Sequence, residues 1–140
     1  MINGFMKNLN LNAIAIQVLP IAGGWKKTLD KFNTDQAPGM RQFTQRMMLL
    51  LIDFDSVTDR LASVQSEIPD DLKDRVFILG AKYNPESLRR DLGKSFEQIG
   101  EELAKDCPEN QSALWSHEQL KHNQPELERM ILSVSPFLFN

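Results

Sequence analysis

Asp53 and Asp55 stand two residues apart at the end of an apolar run, Met47 to Ile52. If that run is a β-strand whose pleat continues through Phe54, both carboxylates project to the same side. Two anionic oxygen donors at a strand end suit a hard cation such as Mg²⁺ or Mn²⁺. Mg²⁺ takes one or two carboxylates and completes its shell with water and phosphate oxygens. The bland alternative is that one aspartate caps the following helix and the other is solvated. The tripeptide alone does not separate these readings.

A second constellation is Gly23-Gly24-Trp25-Lys26-Lys27, which follows the apolar stretch Ala13 to Leu19. Free N–H groups at a helix start and two lysines attract an anion. The spacing is not that of a P-loop. Gly23 and Gly24 are expected close to the site, and Lys26 and Lys27 are candidate phosphate or substrate contacts. Trp25 is expected in the core. Lys82, just beyond the apolar run Arg75 to Leu79, is a third basic candidate. His117 and His122 lack the i, i+4 spacing of a helical metal pair and are expected at exposed helix ends. Arg89, Arg90 and Lys94 read as a solvated basic face. No local signature supports Ser/His/Asp catalysis.

Positioning these residues falls to alternating strands and helices. Ala13 to Leu19, Met47 to Ile52 and Arg75 to Leu79 read as three short strands. The uninterrupted apolar character of the second suits a parallel strand covered on both faces. Helices are expected over Asn3 to Asn10, at Trp25, Leu29 and Phe32, and from Ser56 with a Ser56/Asp59 capping box. Ala37-Pro38-Gly39 reads as a loop. Asn84-Pro85-Glu86 opens a helix with an N-cap, a first-turn proline and an early acid. Gly93 ends it, and another helix carries Phe96, Ile99 and Leu103 toward Cys107-Pro108. Trp115 and Leu120 mark a short helix. The last helix carries Leu127, Met130, Ile131 and Val134, and the tail Pro136-Phe137-Leu138-Phe139 is expected to be exposed. The fold expected is α/β, a small three-layer sandwich with a short, mainly parallel sheet and extra C-terminal helices. Ligands would gather beyond the carboxyl ends of its strands.

The chain has 140 residues, 41% hydrophobic and 25% charged, with a formal net charge of −3. That suits one globular domain spanning 1–140, with 81–140 mostly helical, and disfavours a globally basic nucleic-acid binder. One cysteine, Cys107, excludes an intrachain disulfide and a cysteine-built zinc site. A cytoplasmic location is expected. No basic start precedes a long apolar run, and no stretch approaches the ~20 apolar residues of a membrane helix.

The order of these pieces resembles the Toprim fold of topoisomerases, primases and old-family nucleases. The resemblance covers roughly residues 1–80. It rests on Leu19 to Gly24, on Asp53-Phe54-Asp55 and on the strand at Arg75 to Leu79. It implies that Asp53 and Asp55 bind Mg²⁺ or Mn²⁺ in a nucleic-acid phosphoester enzyme acting on DNA or RNA. Toprim enzymes carry a glutamate after a first strand, whereas no glutamate here precedes Glu67. The domain is therefore expected to be incomplete or inactive alone, through a missing upstream strand or through degeneration. Leu50 to Val57 also resembles the hhhhDxDx[TV] motif of haloacid-dehalogenase-type phosphatases. That resemblance implies Asp53 as nucleophile and Asp55 as acid. A third reading is a non-catalytic module binding a protein partner through its C-terminal helices and tail.

Overall fold

The computed structural model describes residues 1–107 and 114–139. In chain order it contains α1 (Ile2–Phe5), a 3₁₀ turn at Ala13–Ala15, α2 (Trp25–Lys31), a π-helical turn at Phe32–Gln36 and α3 (Ala37–Gln42). Next come β1 (Met48–Leu51), α4 (Arg60–Ser66), a 3₁₀ turn at Lys73–Arg75, β2 (Val76–Leu79), α5 (Pro85–Leu92) and α6 (Phe96–Asp106). A 3₁₀ turn at Lys121–Asn123 leads into α7 (Gln124–Leu138).

The strands pair in parallel, with Met48 beside Val76 and Leu51 beside Leu79. This β1-α4-β2 crossover makes the molecule a small α/β fold. Alternate residues of β2 feed two separate cores. Val76 and Ile78 join Leu50, Ile52 and Phe54 of the first chain segment, together with Leu29, Phe32, Met40 and Val64 of α2, the π turn, α3 and α4. Phe77 and Leu79 face the other way, onto Leu88, Ile99, Leu103, Leu127, Met130 and Val134 of α5, α6 and α7. The period of two thus places β2 between two helical layers, whereas β1 is covered on one face and not on both as expected, with Leu49 and Leu51 exposed.

The outer edge of β2 is closed by side chains from the C-terminal helical part. The Ile78 N–H donates to the buried Glu126 carboxylate at 3.0 Å, and Arg129 Nη2 donates to the Val76 carbonyl at 2.6 Å. Asn123 grips Gly80 on both groups, accepting from its N–H at 3.0 Å and donating to its carbonyl at 2.9 Å. The Lys82 N–H donates to the Gln119 carbonyl. Nothing comparable covers β1 among the described residues. Among the described residues no backbone hydrogen bond reaches the outward N–H and C=O of Leu49 or Leu51, and Leu51 is 54% exposed.

The expected strand at Ala13 to Leu19 does not form. After the 3₁₀ turn the chain runs irregularly through residues 16–22, with Ile14 98% and Ile21 95% exposed. Apolar β-branched character records a preference for burial but supplies no ladder partner, and Pro20 removes a backbone donor. Ala37-Pro38-Gly39 is helical rather than a loop, because Pro38 sits in the first turn of α3, where its missing N–H costs nothing. The helix expected from Ser56 begins at Arg60, because Asp55 and Ser56 take left-handed φ values of 50° and 60°. No Ser56/Asp59 capping box forms. Pro136 lies inside α7, Leu138 is buried and Phe139 bridges to Leu11, so the expected exposed tail is packed on its own chain, with Phe137 facing outward. Pro108, expected at a helix end, lies outside the described residues.

The α5 start forms as expected: the Asn84 side chain accepts from the Ser87 N–H at 2.8 Å, and Gly93 closes the helix in the left-handed region at φ 62°. Among the described residues no helix is long and apolar enough to cross a membrane.

Candidate functional site at the carboxyl end of β1

The parallel ladder continues past β1 itself. The N–H groups of Ile52, Phe54 and Ser56 donate to the carbonyls of Leu79, Ala81 and Lys82 at 3.0, 3.1 and 2.7 Å. Ile52 and Phe54 are buried in the first core, so Asp53 projects from the opposite face, while Asp55 leaves the pleat at φ 50° and its charge still bears on Asp53. Gly80 permits this close run of chain. A Cβ built on it would lie 1.7 Å from the Ile52 carbonyl oxygen and 3.0 Å from the Phe54 ring.

The two acids are not equivalent. Asp55 accepts from Arg60 Nη1 at 3.2 Å, and the same nitrogen lies 3.3 Å from the Asp53 carbonyl oxygen. Among the described residues the Asp53 carboxylate has no hydrogen bond or ion pair. Although Asp53 is an exposed residue, partial desolvation of its carboxyl and then the negative charges of Asp55 and Glu86 raise its pKa above the usual aspartate value. Glu86 belongs to the first turn of α5. Uncompensated carboxylate charge is what a divalent cation relieves, so the donor chemistry fits Mg²⁺ or Mn²⁺. No group of three or more His, Cys, Asp or Glu side chains forms a metal cage among the described residues. A cation here would hold the aspartate pair and water.

Arg60 brings the glycine turn to the acids. Its guanidinium carbon lies 4.6 Å from the Trp25 ring centroid, over the indole that opens α2. Gly23 and Gly24 precede Trp25 at φ 93° and 98°, values that side-chain-bearing residues rarely adopt. Lys26 Nζ lies 5.6 Å from the same ring, and Lys26 and Lys27 are exposed. Trp25 is half-buried against the first core rather than enclosed in it. Lys82 lies beside Ser56, but its ammonium pairs with Glu118 at 3.4 Å. Lys121 and Lys82 together hold the Glu118 carboxyl below its usual range.

Sequence reasoning passed over three residues here. Arg60 lacks a motif, since its role depends on Trp25 and Asp55 converging. Gly80 follows the apolar run Arg75 to Leu79 and carries no motif of its own. His122 was expected at an exposed helix end, yet its ring packs edge-on against Phe54 at 4.8 Å. Both its ring nitrogens are buried without a hydrogen bond inside normal limits, and burial lowers its pKa, which keeps the imidazole neutral. Its contact is with the apolar side of the Asp-Phe-Asp segment. His117 Nδ1 accepts from the Gln119 N–H at 3.1 Å. Arg90 approaches Ser87 and Lys94 pairs with Glu102, as befits a surface helix face.

No family model, curated protein or solved structure matches the chain.

Proposed function

We propose that the chain is a Toprim-like, divalent-cation-binding domain of a nucleic-acid phosphoester enzyme, incomplete as a catalyst on its own. One observation supports the reading: Asp53 and Asp55 lie just past the carboxyl end of a parallel strand, and among the described residues the Asp53 carboxylate has no partner. Mg²⁺ or Mn²⁺ held there would polarise a phosphoryl oxygen and orient a bound water. Asp53 and Asp55 would supply the cation ligands. Lys26 and Lys27 would screen phosphate charge near the turn formed by Gly23 and Gly24. Lys82 would do so only after release from Glu118. The substrate class would be DNA or RNA, in the cytoplasm.

The dehalogenase-type phosphatase is a second reading, favoured by a specific observation. That family's acidic pair follows the first strand of its sheet, and β1 is the first strand formed here. The third reading, a non-catalytic module, draws on the uncovered edge of β1 and exposed Leu51 rather than on the tail.

Titration calorimetry with MgCl₂ tests the shared premise of both enzyme readings. The wild type is expected to bind with weak affinity, and the Asp53→Asn plus Asp55→Asn double variant to give no binding heat. Equal binding by both proteins would reject the site.

A further inference from the structure

We infer that Arg60 is a tethered counter-cation for the acidic pair, occupying Asp55 until a divalent cation binds Asp53 and Asp55 and leaving when one does. The inference rests on the proposed cation site and describes its regulation.

Two features set Arg60 apart from an ordinary surface ion pair. Its side chain is 12% exposed while that of Asp55 is 58% exposed, so the guanidinium is enclosed and its acid partner faces solvent. Its surroundings also come from two separate segments: the Asp55 carboxylate and the Asp53 carbonyl from one, and the Trp25 ring face from the other. An arginine can keep a cation–π contact and a carbonyl contact after losing a carboxylate. Arg60 therefore has somewhere to remain when Asp55 is taken.

The turn that presents Asp55 is held by its tertiary contacts. Asp55 and Ser56 are consecutive non-glycine residues in the left-handed region, a disfavoured conformation for both. The Arg60–Asp55 pair and the Ser56 N–H bond to Lys82 hold that turn in place. A divalent cation shared by the two aspartates would stand beside the guanidinium. Like charges at that separation repel, so the two cations compete for Asp55. Displacing the guanidinium alters its stacking on Trp25, and cation binding thereby reaches the Gly23-Gly24 turn. The acid pair and the glycine turn become one coupled unit.

The test follows Trp25 emission and calorimetric heat in parallel while MgCl₂ is added to the full chain at constant ionic strength. The wild type should show an emission change with the same midpoint as the binding isotherm. Trp25→Phe should bind Mg²⁺ without that change, which assigns the signal to Trp25 rather than Trp115. Arg60→Gln should lower the dissociation constant roughly two- to five-fold, the scale of one solvent-accessible ion pair. Arg60→Lys retains the charge without the planar stack, so it should keep the wild-type affinity while losing most of the emission change. It also serves as the decisive variant if Arg60→Gln fails to fold. Equal or weaker binding by a folded Arg60→Gln, or tighter binding by Arg60→Lys, would overturn the inference while leaving the cation site intact. Binding heat with unchanged Trp25 emission would do the same. Absence of heat in the wild type would remove the cation reading and the inference together.

Discussion

Asp53 is harder to ionise in the folded chain than in an ordinary peptide, through partial desolvation and then through Asp55 and Glu86. The protonated form is compatible with folding, so this stabilising contribution is present below the unfolded-state pKa and is lost as pH rises through the raised folded-state pKa. Asp53→Asn should therefore raise the melting temperature at pH 7 in metal-free buffer and leave it nearly unchanged at pH 3. A melting-temperature gain of equal size at both pH values would contradict that electrostatic origin. Saturating Mg²⁺ should stabilise the wild type and not this variant, because a ligand bound only to the folded state shifts the unfolding equilibrium. The orientation of Asp53 was legible in the sequence because strand alternation is a local rule and the apolar run before it fixed the phase, whereas Asp55 turns out of that alternation at φ 50°. Arg60 and His122 were not legible, since each packs on a ring more than thirty positions away: Trp25 for the first, Phe54 for the second.

The two strand edges make the element scale unequal. On β2, Glu126, Asn123 and Arg129 replace a neighbouring strand with side-chain donors and acceptors. On β1, the outward groups of Leu49 and Leu51 have no such partners among the described residues. Amide hydrogen exchange should therefore be faster at Leu49 and Leu51 than at Ile78 and Gly80, and comparable protection at all four would show that β1 is covered in solution. Glu126→Ala should cost about 1–3 kcal/mol, since it strands the buried Ile78 N–H and removes the carboxylate partner of Arg129. Denaturant unfolding measures this loss, and a change below a few tenths of a kcal/mol would mean that water substitutes fully for the carboxylate. The local start signal at Asn84-Pro85-Glu86 predicted α5 because capping depends on adjacent residues. Ala13 to Leu19 misled because a strand is defined by its neighbour, which an apolar heptapeptide does not encode. The Ser56 helix start misled for a related reason: the ladder bond from Ser56 to Lys82 holds this residue in a turn, and the helix waits until Arg60.

At the scale of the whole molecule, the α/β character was legible from the alternation of apolar runs and helical periods, whereas the strand count depended on tertiary pairing. The two cores lie on opposite faces of the β1–β2 pair, and the acid pair sits where this thin sheet ends. Phosphoester chemistry asks more of that edge than cation binding does. Two-metal displacement requires ligands that fix both the attacking and the leaving oxygens. Among the described residues the acids do not assemble a cage of three, and the other candidates are dispersed. Asp30 lies exposed on α2, Asp35 lies in the π turn and Asp70 pairs with Lys73. A general acid or base contributes ~10²–10⁴ in rate, so an edge lacking one should leave turnover near background. The purified chain is therefore expected to show no substantial turnover of single-stranded, duplex or supercoiled DNA, or of a generic phosphomonoester, with Mg²⁺ or Mn²⁺. Robust DNA cleavage abolished by Asp53→Ala would show that Asp53 belongs to a complete catalytic site. Turnover confined to the phosphomonoester and abolished by the same substitution would favour Asp53 as the nucleophile of a dehalogenase-type phosphatase. Background activity in every assay, alongside Mg²⁺ binding that the double aspartate variant loses, is the combination expected of a cation site without the remaining catalytic groups.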